Sequence, residues 1–293
     1  MILITGASGT IGRPLVELLS STGRPVRALT RHAAAAPPGV EVVIGDPSRP
    51  ESIATALRGV TSLFVHPRAV GPATPRLLEL AGEHGVNNVA VLAALNVDDD
   101  PSMQPSRLNG DRNKEVEDAV TSSGLRWVSV RPGSFAASTL TMFAAQARHG
   151  DVIRGPFADF ADAPVHENDV AAVLAAGLLD DTLAGQRISI TGPQSLTYAQ
   201  MVNTIGEVIG RPLRYEQIPP AQAADDMVAK GLPRAFAEAM MARYARELDR
   251  PAPITDAVAT VLGRPARSYA DWAHDHIAAF GRPRSDTTPR ETR

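Results

Sequence analysis

The chain has no cysteine among its 293 residues. Disulfides, a thiolate nucleophile and cysteine-bound metals are therefore excluded, and redox work would need a borrowed cofactor. Lysine is nearly missing as well: of 29 basic residues only Lys114 and Lys230 are lysines, so amine chemistry has two candidates at most. No tyrosine precedes Tyr198. The first two thirds of the chain thus offer no phenol.

An excess of one charge is also lacking. A net charge of −3 and a pI near 6.2 give no basic field for nucleic acid or anionic lipid. No apolar run reaches the roughly 20 residues that span a bilayer, and the first residues show no charged segment followed by an apolar one. The expectation is a cytoplasmic protein with small-molecule partners, no nucleic acid and no membrane. Metal-ligand spacing is poor: His274 and His276 are two apart and do not share a helix face, and "DDD" at 98–100 lacks the pattern of a calcium loop. No metal site is expected.

What is present is a rhythm. Short apolar runs at 2–5, 25–30, 40–45, 61–65, 87–95 and 125–132 alternate with helical patterns from Thr10, from Pro50, across 72–84 and across 107–118. Strands of that length separated by helices predict βαβ units and a parallel sheet. The fold class expected is α/β, a doubly wound parallel-sheet Rossmann fold with a small, mainly helical C-terminal lobe. The nucleotide domain is placed at 1–152 with a further strand near 186–192, the substrate lobe at 153–280, and a disordered tail at 281–293.

The sharpest motif is "ILITGASGTIG". Gly6, Gly9 and Gly12 follow an apolar strand directly and open a helix, the setting in which glycines let a backbone approach a pyrophosphate at a helix N-terminus. Ser8, Thr10 and Ile11 lie between those glycines and share the expected cofactor-binding role. After the second strand the chain reads "RALTRHAA". Arg31 stands where an acid would bind the ribose 2′-OH of NAD, and its fork suits a 2′-phosphate, which favours NADP, with NADPH preferred over NADH. Asp46, before Pro47, either accepts a hydrogen bond from adenine or caps its own turn.

"TGASGTIG", "GDPSRPESIATALRGV", "GLRWVSVRPGSF" and "TGPQSLTYAQMVNTIGEVIGRPL", in that order, resemble the NmrA-like group of atypical short-chain dehydrogenase/reductases, from Met1 to about Phe280. The resemblance implies an NADP-binding Rossmann domain with a lobe over the nicotinamide. It places His66, Pro67 and Arg68 beside the cofactor after the fourth strand, and Gly133, Ser134 and Phe135 at the nicotinamide side after the sixth. The wider superfamily uses a serine at the end of the fifth strand and a Tyr-x-x-x-Lys pair on the next helix. Here Ala93 and Ala94 fill the serine position, and the helical reading of "RLNGDRNKEVED" puts Asn109 and Asn113 in the other two.

With the usual acid–base set missing, His66 is the candidate proton donor. Asn113 is the candidate for a ribose or substrate contact, since an amide both donates and accepts. Three functions remain open. One is an NADPH-dependent reductase of a small apolar quinone, enone or carbonyl compound. The others are an NADP-sensing regulatory protein, and a non-redox isomerase or cyclase that keeps NADP as part of its pocket.

Overall fold

The computed structural model describes residues 1–33 and 35–281. The tail expected at 281–293 lies, apart from its first residue, outside the described residues. Seven parallel strands form the main sheet: β1 (Ile2–Thr5), β2 (Val26–Thr30), β3 (Glu41–Ile44), β4 (Ser62–Val65), β5 (Asn88–Leu92), β6 (Arg126–Pro132) and β9 (Arg187–Ile190). Their order is β3-β2-β1-β4-β5-β6-β9, every neighbouring pair parallel. β9, the strand expected near 186–192, extends the sheet beside β6.

The sequence of β1, β2, β4 and β5 is nearly uninterrupted apolar because both faces of the sheet are covered, and every residue of these strands is buried. β3, at the edge, keeps an open face, with Ile44 at 64% exposure. One face is covered by α1 (Gly12–Ser21), whose Leu15, Val16 and Leu19 recur at helical spacing and are buried. Each of those side chains contributes about 1.5–3 kcal/mol through burial. The other face carries a 3₁₀ helix at Pro50–Leu57, the short α2 (Pro67–Val70), α3 (Thr74–Glu83) and α4 (Asn113–Thr121).

Beyond β6 the chain runs through α5 (Ala145–His149), β7 (Val152–Gly155), β8 (Ala161–Asp162) and α6 (Glu167–Leu179). After β9 come β10 (Leu196–Thr197), α7 (Tyr198–Val208), β11 (Arg214–Gln217), α8 (Pro220–Ala229) and α9 (Arg234–Glu247). It closes with α10 (Ala257–Leu262), α11 (Tyr269–Asp275) and α12 (Ile277–Phe280). These elements divide between two bodies: α6 and α10 pack with α1 against the sheet, while α7, α8, α9 and α11 build a second core around Phe143, Phe160, Tyr198 and Trp272. Two small pairings, β7 with β11 in parallel and β8 with β10 antiparallel, stiffen the lobe.

One expected element is different. "RLNGDRNKEVED" is not a single helix: Pro105–Asn109 forms a 3₁₀ turn that ends at Gly110, with φ +90°, and α4 begins only at Asn113. A left-handed residue cannot continue a right-handed helix, so the asparagines do not stack four apart on one face. Asn109 is exposed, and Lys114 pairs with Asp118 at 2.6 Å and Asp98 at 3.6 Å.

Candidate active site

Strand order reverses at β1, and the crevice at such a reversal, beyond the carboxyl ends of the strands, is where open α/β sheets take ligands. The glycine loop follows β1, His66 follows β4, Ala93 follows β5, Gly133 follows β6 and Thr191 follows β9. All lie at that edge. There a cleft of about 710 Å³ runs from Thr10, Ile11 and His66, past Ala93, Asn113 and the segment Gly133–Phe135, to the lobe residues Asp162, Tyr198 and Tyr244.

The loop geometry accounts for its glycines. Gly6 has φ +64°, and a Cβ on Gly12 would stand 2.1 Å from the Gly6 carbonyl oxygen and 2.8 Å from Ala7 Cα. Gly9 N–H donates to the Gly6 carbonyl at 3.0 Å, closing the turn. Ser8, Gly9 and Thr10 are exposed, as a loop approached by a phosphate must be, while Ile11 is buried at the cleft floor. Arg31 is exposed directly after β2 and makes no hydrogen bond or ion pair among the described residues. Its guanidinium is uncommitted.

Asp46 makes the turn contact of its two sequence readings. Its Oδ1 accepts from Ser48 N–H at 3.0 Å and Ser48 Oγ at 2.7 Å, which holds the carboxyl below the usual range. It caps its turn, beside the buried Pro47.

His66 packs against the loop, its Cβ 3.2 Å from where a Cβ on Gly6 would lie. The His66 N–H donates to Thr5 Oγ1 at 2.9 Å, and the ring Nδ1 is buried without a partner. Burial, with the neighbouring Arg68 charge second, lowers the imidazole to about pKa 4. At neutral pH the ring is uncharged and is a poor source of protons. Arg68 is itself committed: its fork lies on the Asp111 carboxylate, with Nη2 at 3.1 Å from Oδ2.

Ala93 N–H donates to Val130 O at 2.8 Å, and Gly133 N–H to Ile190 O at 2.9 Å, so both strand ends are fixed by neighbouring strands. Ser134 O accepts from Val165 N–H at 2.8 Å, and Phe135 bridges to Val165. Asn113 lines the cleft as the first residue of α4, and Asn109 does not.

The sequence reading missed the lobe wall. Tyr198 opens α7 and Tyr244 lies on α9; their rings are 5.7 Å apart at 85°, Phe160 packs on both, and their hydroxyls pair with each other. Burial raises both phenols. Between them and Ser134 sits Asp162, whose carboxyl burial also pushes up. The only signal available was that every tyrosine comes after residue 197. That pattern concentrates phenols in the lobe but does not aim them.

Together the cradle and the lobe define a dinucleotide-binding Rossmann protein whose second lobe closes over the far end of the cleft. The chain belongs to the NmrA-like family, whose family model matches residues 1–262. It is 33% identical to the NAD(P)H azoreductase of Xenophilus azovorans, covering 96% of this chain and 99% of that one. It is 34% identical to the (4-alkanoyl-5-oxo-2,5-dihydrofuran-3-yl)methyl phosphate reductase of Streptomyces griseus subsp. griseus, again covering 96% and 99%. In fold it is similar to the NADPH complex of quinone oxidoreductase QOR2 from Escherichia coli, with TM-score 0.77 and 23% identity over 95% of this chain and 100% of that one.

Proposed function

We propose that the protein is an NADPH-dependent reductase of a small, uncharged, conjugated acceptor of the quinone or enone type. The observation that carries this is the continuous cleft from the glycine cradle to the apolar and phenolic lobe wall. The residues fit the cofactor. The Gly6, Gly9 and Gly12 backbone and the start of α1 would hold the pyrophosphate, and the unpaired Arg31 fork would hold the 2′-phosphate. His66, Ala93, Asn113 and the Gly133–Phe135 segment would hold the nicotinamide half, where the orphaned Nδ1 of His66 is a buried polar atom awaiting a partner.

When bound, the cofactor supplies hydride. The chain supplies orientation and an apolar wall: Met142, Met201, Phe236 and Met240 line the lobe end. Arg68 and Arg243, the arginines on the cleft, are held by Asp111 and Glu247, with Arg243 Nε 3.1 Å from both Glu247 oxygens. Each positive charge is thus partly neutralised by a carboxylate, which favours an uncharged substrate.

The test is anaerobic NADPH oxidation against quinones, enones, azo compounds and simple ketones, with products identified by mass. Oxidation with the conjugated acceptors, and much less with ketones, is expected. No oxidation with any acceptor would overturn the reading.

A further inference from the structure

Hydride transfer to a conjugated acceptor leaves a negative charge that a proton must quench, and none of the residues foreseen for the site is an acid at neutral pH. We propose that Asp162, on the lobe wall of the cleft, is the catalytic residue that donates this proton. The proposal rests on the reductase reading above. It concerns this chain's own acid and not the source of hydride.

Four features place Asp162 there. It lines the cleft together with Tyr198, Tyr244 and Ser134. It lies on β8, which is held antiparallel to β10, so its position is fixed by backbone pairing, Leu196 opposite Asp162. Its Oδ1 accepts from Ala163 N–H at 2.9 Å, and the Ser134 hydroxyl pairs with the carboxyl. Finally, no cation lies within ion-pair distance of it among the described residues: Arg243 on α9 bonds Glu247 through Nε, although its charge still reaches Asp162.

The groups facing Asp162 from each packed element are Ser134 after β6, Tyr198 on α7, and Arg243, Tyr244 and Glu247 on α9. Burial dominates this set and favours the protonated carboxyl, which then has a proton to give. The two tyrosines are pushed in the same direction from a far higher starting point, so they are weaker acids and serve to hold the acceptor.

The step balances. Hydride brings two electrons to the electrophilic carbon of the acceptor, the Asp162 O–H bond breaks, and its proton goes to the acceptor oxygen as the O–H bond of the product forms. Asp162 is left as a carboxylate near Arg243 and regains a proton from solvent after product leaves.

The experiment combines infrared difference spectroscopy with kinetics on wild type and Asp162→Asn. The wild-type protein should show a protonated carboxyl stretch that Asp162→Asn lacks and that persists to higher pH than that of an exposed carboxylate before it fades. Turnover of a quinone by Asp162→Asn should fall by about 10²- to 10⁴-fold, the usual weight of a general acid, with NADPH affinity unchanged. The wild-type profile, which needs no variant, should lose activity as pH rises through the titration of that band.

A band that titrates in the ordinary carboxylate range would overturn the proposal, as would a variant that turns over normally with an unaltered pH profile. If wild type itself reduces no acceptor, the reductase reading falls and this role falls with it. If wild type is active and Asp162→Asn equally so, only the role of Asp162 is lost.

Discussion

Replacing Gly12 by alanine tests the cofactor cradle at its tightest point. The added Cβ would meet the Gly6 carbonyl oxygen at 2.1 Å and Ala7 Cα at 2.8 Å, more than 1 Å short of ordinary contact with the oxygen. Both neighbours are backbone, so relief requires the loop or the first turn of α1 to move, and overpacking of this kind costs about 1–3 kcal/mol. The same movement pulls apart the N–H groups that would receive the pyrophosphate, so NADPH should bind at least about tenfold more weakly. Gly9→Ala meets only the Gly6 oxygen, at 3.2 Å, and should cost less than Gly12→Ala. Urea unfolding and fluorescence titration with NADPH measure both quantities. Gly12→Ala with wild-type stability and wild-type affinity would refute the reasoning.

Other predictions follow from neighbouring groups. Arg31→Ala should weaken NADPH by about tenfold or more and leave NADH unchanged in the same titration, since only the 2′-phosphate is lost; equal losses for both cofactors would remove the assignment. Glu117 is fully buried, with Arg131 Nη2 and Nε at 2.6 and 2.8 Å. Glu117→Ala removes the buried half of this pairing and leaves Arg131 with Asp98 alone, Nη1 to Oδ2 at 2.7 Å, so it should cost about 1–3 kcal/mol in urea unfolding. His66 has its pKa lowered to about 4, so the unfolded chain binds more protons than the native one between about 6.5 and 4. Its contribution is full above 6.5 and is lost as pH falls towards 4, on the order of 2–3 kcal/mol. His66→Gln should flatten stability against pH across that window, and an unchanged slope would contradict the burial argument.

The sheet was legible because burial on both faces makes its strands apolar throughout, and the glycine loop was legible because its spacing follows from one local turn. Arg31 could be placed because it is counted from a strand end. The helix break at Gly110 was not, since one glycine within a polar stretch is compatible with a helix or with its end, and Asp111, drawn to Arg68 from another element, belongs to the turn that separates them. Spacing therefore gave Asn109 a place in the site that the fold does not. The strands β7 and β8 escaped notice because they are short and pair with residues tens of positions later. Tyr198, Tyr244 and Asp162 meet the cofactor half only through the folding of the lobe onto the sheet. No local pattern carries that contact.

The most direct test of hydride transfer uses NADPH deuterated on one or the other face of its nicotinamide C4, incubated with the protein and a quinone or enone and followed by mass analysis of product and cofactor. A fixed cradle with one wall facing the acceptor predicts loss of deuterium from one face only, with carbon-bound label in the enone product. Loss from both faces alike, or from neither while the acceptor is consumed, would contradict it.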